Sequence, residues 1–553
     1  MTAVTMRTSL FLTAMASTVL SGCNLAPQYV RPPAAAPAQL PHGGVYPGAG
    51  PVVPSDARDL TKVGWRDFFE DERLKQVIQL GLDNNQDLEL AAAHVLQARA
   101  QYRVQRAQLL PTIQASGSAT FTNSAAGAGR TAGGAGTGTG GAVAGRASPD
   151  VEIYNAQVGV SAFEVDLFGR IRNLNKAALQ QYFASEEAQR TARISLIAEI
   201  ATAWATLASD RDQLALSEKT LVAFKQTLDL TNAQFRIGVA SELESRQAET
   251  NYQATRNDIA VLRTRIAQDR NALDLLVGTT VADNLLPSSL ENADVAIDAL
   301  PANLSSGILL QRPDVLQAEH QLIAQNANIG AARAAFFPTI SLTATLGTIS
   351  SALSGLFDHG TGIYTATPSI GLPLVDGGRN KGNLDYARAS QRAAVATYQK
   401  TIQTAFREVA DALAQRGTID EQVAAQTERV HAAGIAANLS GARYRAGIDS
   451  FLTSLDSQRT AYAAEQQLGT TRLKRFTNFV ELYRALVLCV MREKNLLTRA
   501  DIERLCEKVE RRATGKSKLP APRCVDAAVA AMSVMQQLSS YIGQRYGGKR
   551  ARN

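Results

Sequence analysis

The sequence predicts a mixed α and β membrane protein in which short strands cross the bilayer and very long helices extend away from it. Three observations carry this. The chain repeats itself, its strand-like segments alternate with period two, and its helical segments hold a seven-residue apolar step.

The N-terminus is the first element. Arg7, the apolar run Leu10 to Val19 and the small residues Ser21 and Gly22 have the charge, length and cleavage chemistry of a secretory signal peptide, here residues 1–22. The run is too short to span a bilayer, and Met6 is an alternative start. Leu20-Ser21-Gly22-Cys23 resembles the bacterial lipobox, which implies that Cys23 becomes an acylated N-terminus held to a leaflet by buried methylenes. The plainer reading is a chance cysteine in a cleaved leader. Asn24, in place of Asp, implies outer-membrane sorting of such a lipoprotein.

Composition narrows the class. The 553 residues are 45% hydrophobic and 19% charged, and no apolar run after the leader is long enough for a transmembrane helix, so strands must do any crossing. The net charge is +7, yet residues 488–553 hold 14 Lys/Arg against 6 Asp/Glu, which leaves about −1 for the rest. The basicity belongs to the tail, and the body carries no nucleic-acid footprint.

The repeat organises the rest. "AQLLPTIQASGSATF" (107–121) recurs as "AAFFPTISLTATLG" (334–347), "DLFGRIRNLNKAAL" (166–179) as "DGGRNKGNLDYARA" (376–389), and "AQFRIGVASELESRQAETNY" (233–252) as "ARYRAGIDSFLTSLDSQRTAY" (442–462). Three matches in one order make a tandem duplication, residues 74–278 and 313–487, joined by a linker at 279–312 and preceded by an N-terminal segment at 23–73.

Strands are expected near 112–121, 156–167, 339–347 and 365–375. Ile113, Ala115, Gly117, Ala119 and Phe121 alternate with Thr112, Gln114, Ser116, Ser118 and Thr120, and Ile340, Leu342, Ala344 and Leu346 alternate with Thr339, Ser341, Thr343 and Thr345. Ala156, Val158, Val160 and Ala162, then Ala366, Ile370, Leu372 and Leu374, form the apolar sets of the second strands. Small polar groups on one face suit a barrel strand with a wet lumen; a half-buried sheet on a soluble core is the competing reading. Pro368 and a parity switch after Phe163 work against clean pairing. Four strands cannot close a barrel and open edges cannot face lipid, so a spanning version must be an oligomer. Residues 123–149, rich in Gly and Ala, read as an exposed flexible loop; their formal G-x-G-x-x-G match lacks a following helix.

Gly169 to Phe235 is one helical pattern, with Ile200, Leu207, Leu214, Leu221 and Leu228 at every seventh position beside Ala201, Ala208, Ala215 and Val222. That step imposes a left-handed supercoil, and some 65 residues at 1.5 Å each extend roughly 100 Å. Gly238 and Gly447 break the pattern in the two halves, and a further helix follows each.

Taken together, the chain resembles the outer membrane factor (TolC-like) family, in the lipoprotein branch that serves tripartite drug efflux pumps. The carrying residues are "CNLAPQYVRPP" (23–33), "WRDFFEDERL" (65–74), "QRPDV" (311–315), the two "PT" strand starts and "YRAGIDSFLTSLDSQRTAYAAEQQL" (444–468). The resemblance implies a homotrimer with a 12-stranded barrel, four strands per chain, continued by a helical coiled-coil tunnel across the periplasm. It implies a passive exit for drugs or other small molecules, with a periplasmic adaptor (membrane fusion) protein and an inner-membrane RND-type transporter as partners. Position by position, Leu452 would be an apolar constriction, Asp456 with Arg459 an acidic and ion-paired ring, Tyr444 a residue holding the closed state, and Glu244 an acidic gate position of the first half. Asp449 departs from relatives that carry a basic residue there. Cys23 would carry the lipid into the outer membrane; no cofactor or metal is expected.

Past Leu486 the resemblance stops. Residues 488–553 read as an atypical basic, helical tail with Cys489, Cys506 and Cys524, consistent with a fused appendage, a docking tail or an altered reading frame. The five histidines are scattered and no nucleophile motif occurs, which points away from an enzyme. A protein-secretion duct and a lipid-anchored coiled-coil scaffold are the other function classes; the scaffold leaves the alternating strands unexplained.

Overall fold

A computed structural model describes residues 24–46, 64–122, 151–290 and 306–486. Cys23, the signal segment, the 123–149 loop and the tail with Cys489, Cys506 and Cys524 lie outside the described residues. The chain divides into two units at residues 490 and 491, and every described residue belongs to the first.

The elements run α1 (Trp65–Phe68), α2 (Glu72–Asn84), α3 (Gln86–Ala107), β1 (Ile113–Thr122), β2 (Val151–Glu164), α4 (Arg170–Arg236), α5 (Glu242–Val277), α6 (Pro313–Ala334), β3 (Thr339–Ser350), β4 (Gly362–Gly371), α7 (Arg379–Arg445) and α8 (Phe451–Leu486). The duplication survives in the lengths: α3 and α6 have 22 residues, α4 and α7 have 67, α5 and α8 have 36. At 1.5 Å per residue α4 and α7 are each about 100 Å long. No helix among the described residues is apolar enough over a sufficient length to cross a membrane.

The four strands form one antiparallel sheet in the order β1-β2-β3-β4, with β1 and β4 left as open edges among the described residues. Register puts the apolar sets on one face: Ala115 lies opposite Val158, Val158 opposite Leu346, and Leu346 opposite Tyr364. The other face takes Ser116, Gln157, Gly347, Thr345 and Thr365. Ile113, Phe121, Leu346, Tyr364 and Ile370 are all at least 67% exposed on the apolar face, the arrangement expected where lipid is the neighbour.

The expectations for the strands change in bounds and in parity. β2 starts earlier and ends earlier than 156–167, and β4 runs 362–371, so Leu372 and Leu374 lie beyond it. The parity switch is a bulge: Val160 opposes Ala344 while Phe163 opposes Leu342, one extra residue on β2. Ala162 is therefore a bulge residue, with φ +50° and its N–H donating to Thr343 Oγ1 at 3.1 Å, and it leaves the alternating apolar set. Pro368 pairs across from Leu342 without breaking β4. Gly159 and Gly347 leave no room for a side chain between β2 and β3: a Cβ at either would stand 2.2–2.3 Å from a carbonyl oxygen of the facing strand.

The helical core sits midway along the long helices. Trp204 is fully buried on α4, its Nε1–H donating to the Leu285 carbonyl at 3.1 Å. The "WRDFFEDERL" stretch supplies Trp65, Phe68, Phe69 and Leu74 to this core; Asp71 caps α2 by accepting from the Arg73 and Leu74 N–H groups, and the Phe68 ring meets Tyr483 of α8 at 4.5 Å in a tilted contact. "QRPDV" starts α6 with Pro313 in its first turn, and the buried Arg312 guanidinium bridges Asp314 and Glu408 at 2.8 Å each, tying α6 to α7. In the heptad stripe Ile200 and Leu207 are buried, whereas Leu214, Leu221 and Leu228 are only partly covered within one protomer.

Residues 24–46 form a strap along the helices. Asn173, in the first turn of α4, donates to Asn24 Oδ1 at 2.9 Å; Arg333 and Asn326 on α6 donate to the Leu25 and Pro27 carbonyls; Arg31 pairs with Glu319; and Leu40 enters the core beside Leu309. The strap thus begins at the sheet end of α4.

Candidate periplasmic gate

Two helical hairpins, at 236–242 and 445–451, turn the chain at the end of α4 and α7 remote from the sheet. Each closes in the same way. Gly238 and Gly447 adopt φ +79° and +72°, a left-handed position that glycine occupies without a Cβ penalty. The Gly238 N–H donates to the Phe235 carbonyl and the Val239 N–H to Gln234; the Gly447 N–H donates to Tyr444 and the Ile448 N–H to Arg443, all at 2.9–3.0 Å. Ser241 and Ser450 then cap the returning helices, accepting from the Glu244 and Thr453 N–H groups at 3.2 Å each.

The hairpins differ in what holds them. Arg443 makes a two-pronged ion pair with Asp449 at 2.7 and 2.8 Å, clasping the second turn across its glycine. The guanidinium bonds hold the Asp449 carboxyl below the usual carboxylate range. The equivalent positions in the first hairpin are Gln234 and Ala240, which cannot form such a clasp. Gln234 instead accepts a hydrogen bond from Tyr444 Oη at 2.7 Å, so one repeat is fastened to the other. Burial, reinforced by the nearby Glu244 carboxylate, pushes the Tyr444 hydroxyl above its ordinary pKa and keeps it a donor.

Beneath this bond lies a small apolar cluster. Phe451, Leu455 and Ala248 are buried together, Leu228 and Tyr444 pack against them, and the Tyr444 and Phe451 rings meet edge to face at 5.6 Å. Ser245 donates to Asn232 Oδ1 at 2.6 Å beside the cluster. Further along, Tyr462 on α8 shares a hydrogen bond with Ser217 of α4 at 2.8 Å and donates to Asp258 of α5 at 3.2 Å. A cavity of about 390 Å³ separates α4 from α7 and α8 here, lined by Phe224, Gly441, Tyr444, Gln458 and Tyr462.

The five expected gate residues fall into two groups. Leu452, Asp456 and Arg459 share one exposed stripe of α8, at helical spacings of four and three, with Leu452 61% exposed. Tyr444 and Glu244 face the contact between repeats, and Glu244 has a local task as well: its carboxylate accepts from the Ser241 N–H at 2.7 Å, completing a capping box. The expected ion pair between Asp456 and Arg459 is absent among the described residues of one protomer. The two side chains stand on an exposed helix face where water competes with a three-residue link.

Gln234, Phe451 and the Arg443–Asp449 clasp were not expected as site residues. The signal for them lay in the repeat itself, since Gln234-Phe235 faces Arg443-Tyr444 in the alignment of the two halves.

Comparison with known proteins fits this geometry. The sequence matches the outer membrane efflux protein family over residues 77–279 and 304–487, one segment for each repeat. The chain belongs to that family. Among curated outer membrane efflux proteins it is similar to the toluene efflux pump outer membrane protein TtgC of Pseudomonas putida, 42% identical over 87% of this chain and 96% of that one. It is 37% identical to the cation efflux system protein CusC of Escherichia coli O157:H7, over 84% and 96% of the two chains. Of solved structures, the open state of the Neisseria gonorrhoeae MtrE outer membrane channel superposes with a TM-score of 0.72 at 34% identity, covering 85% of this chain and 99% of that one. The protein is thus an outer membrane efflux component of the bacterial envelope, with barrel strands continued by the helices of a periplasmic tunnel.

Proposed function

We propose that the protein is the homotrimeric exit duct of a tripartite efflux system, receiving drugs or other small molecules from an inner-membrane RND-type transporter through a periplasmic adaptor. The observation that carries this reading is the two-faced sheet with open edges. One face is apolar and exposed, the other small and polar, and neither edge strand has a further partner among the described residues. Such a sheet is admissible in lipid only when its edges are closed by further copies, and three copies supply 12 strands from four each.

In this reading the duct is passive. It contributes a wet path, and the hairpin tips contribute the gate. The stripe of Leu452, Asp456 and Arg459 lines the aperture, where three Asp456 carboxylates around a narrow axis repel one another and attract cations. Arg459, one turn deeper, supplies compensating charge to a neighbouring copy, since the protomer leaves it unpaired among the described residues. Tyr444, bonded to Gln234, holds the second hairpin against the first in the closed state. Relatives named for toluene and for cations share the architecture, so the substrate is set by the pump that feeds the duct. Cys23, acylated, anchors the strap: Asn24 is bonded to the first turn of α4, at the sheet end of the helices, which brings the anchor to the membrane face.

The test is native mass spectrometry of the protein extracted in mild detergent, combined with leak measurements. A trimer whose subunits begin at a tri-acylated Cys23 supports the duct, and an unlipidated monomer refutes it. Asp456→Lys should raise leakage of small solutes and shift ion preference toward anions.

A further inference from the structure

The duplication allows the contact between protomers to be read at single-residue resolution. In the sheet, β1 pairs with β2 as β3 pairs with β4: Ile113 opposes Val160 as Ile340 opposes Ile370, and Gly117 opposes Ala156 as Ala344 opposes Ala366. β1 residues therefore correspond to β3 residues 227 positions later, since 340 − 113 = 227, and β2 residues to β4 residues 210 later, since 370 − 160 = 210. Within the sheet of described residues the two halves meet once, β2 with β3, and the two open edges are the counterparts of those strands.

We propose that β4 of one protomer joins β1 of the next in the register that β2 and β3 already use. This rests on the oligomeric-barrel reading above and adds to it the residues of the seam. Ala156, Val158 and Val160 oppose Thr348, Leu346 and Ala344, which transfers to Ala366, Pro368 and Ile370 against the partner subunit's Phe121, the partner subunit's Ala119 and the partner subunit's Gly117. Gln157 and Gly159 oppose Gly347 and Thr345, which transfers to Thr367 and Ser369 against the partner subunit's Thr120 and the partner subunit's Ser118. Apolar residues meet apolar residues and hydroxyls meet hydroxyls along the whole seam, a match that a one-residue slip would destroy.

The helices agree. α6 buries eleven residues between α4 and α7, whereas its counterpart α3 buries none and leaves Leu90, Leu96 and Val104 more than half exposed. Ala177 of α4 packs on Ala324 and Ala327 of α6; the counterparts are Tyr386 of α7, 76% exposed, and Gln97 and Ala100 of α3. α3 thus offers the partner's α7 the surface that α6 offers α4.

Hydrogen-bond parity gives the seam a notch. The Ile349 N–H donates to the Thr361 carbonyl, so odd-numbered residues of β3 bond to β4, and Pro368, opposite Leu342, points its nitrogen away from β3. Its ring nitrogen faces the seam. Pro368 and the partner subunit's Ala119 form a bonded-type pair in which the Ala119 carbonyl has no donor, because proline lacks an N–H. Of the three bonded-type pairs, at two bonds each, one bond is missing in the middle.

Ser369 and the partner subunit's Ser118 form a non-bonded pair, where Cα atoms stand about 4.5 Å apart, within disulfide reach. In the full-length protein with Cys489, Cys506 and Cys524 changed to serine, Ser118→Cys with Ser369→Cys should oxidise to covalent dimers and trimers on non-reducing gels. Thr120→Cys with Thr367→Cys should do the same, which covers the case where one pair disturbs folding. The slipped pair Ser118→Cys with Thr367→Cys should cross-link at least ten-fold more slowly. A faster slipped pair, or trimers by native mass with neither in-register pair linked, overturns the register and leaves the duct standing; monomers by native mass overturn both.

Discussion

Tyr444→Phe removes one hydroxyl from the hairpin contact and leaves the ring against Phe451. The lost bond is 2.7 Å long, joins two repeats and lies at a half-buried position. Such a bond is worth about 1 kcal/mol net, because Gln234 can be rehydrated once the helices part. If the three protomers open together, about 3 kcal/mol is lost from the closed state, on the order of a 100-fold rise in the open-to-closed ratio; independent opening gives roughly 5-fold each. Single-channel recording in planar bilayers reads this as open probability, with Gln234→Ala and the double variant completing a cycle. The two substitutions should not add. An open probability unchanged in Tyr444→Phe, in protein that remains trimeric by native mass, would refute the latch, and so would full additivity.

Other consequences follow from the same geometry. The Asp449 carboxyl is held down by its bonds to Arg443, so the clasp is fully present above the ordinary carboxylate pKa of about 4 and is lost as pH falls through its lower folded value. Conductance should therefore be flat from pH 7 to 5 in the parent, and Asp449→Asn should show in the tip at neutral pH what the parent shows only in stronger acid. Arg312→Ala leaves Asp314 and Glu408 without their shared cation; because both remain partly solvated, the cost should be about 2–3 kcal/mol, below that of a fully enclosed pair, seen as a lower urea midpoint. Pro368→Val restores a donor at the seam, and the temperature at which trimers dissociate in detergent should rise.

Much of this architecture is legible in the sequence because its physics is periodic. Alternation with period two separates lipid-facing from lumen-facing residues, a seven-residue step sets the supercoil, and glycine before serine marks both hairpins; each signal is local and is written twice. The bulge at Ala162 shows where local reading stops, since the odd residue could be seen but its place depended on Thr343 and Leu342 of a strand some 180 residues away. The gate divides in the same manner. Leu452, Asp456 and Arg459 share a stripe by helical spacing alone, whereas the bond from Tyr444 to Gln234 is decided by how α4, α5, α7 and α8 pack. Sequence by itself determines which face each residue takes, because backbone period is a property of the chain. Tertiary structure decides which faces meet and which strand edges stay open, because contacts between distant segments depend on packing and register that no single segment contains.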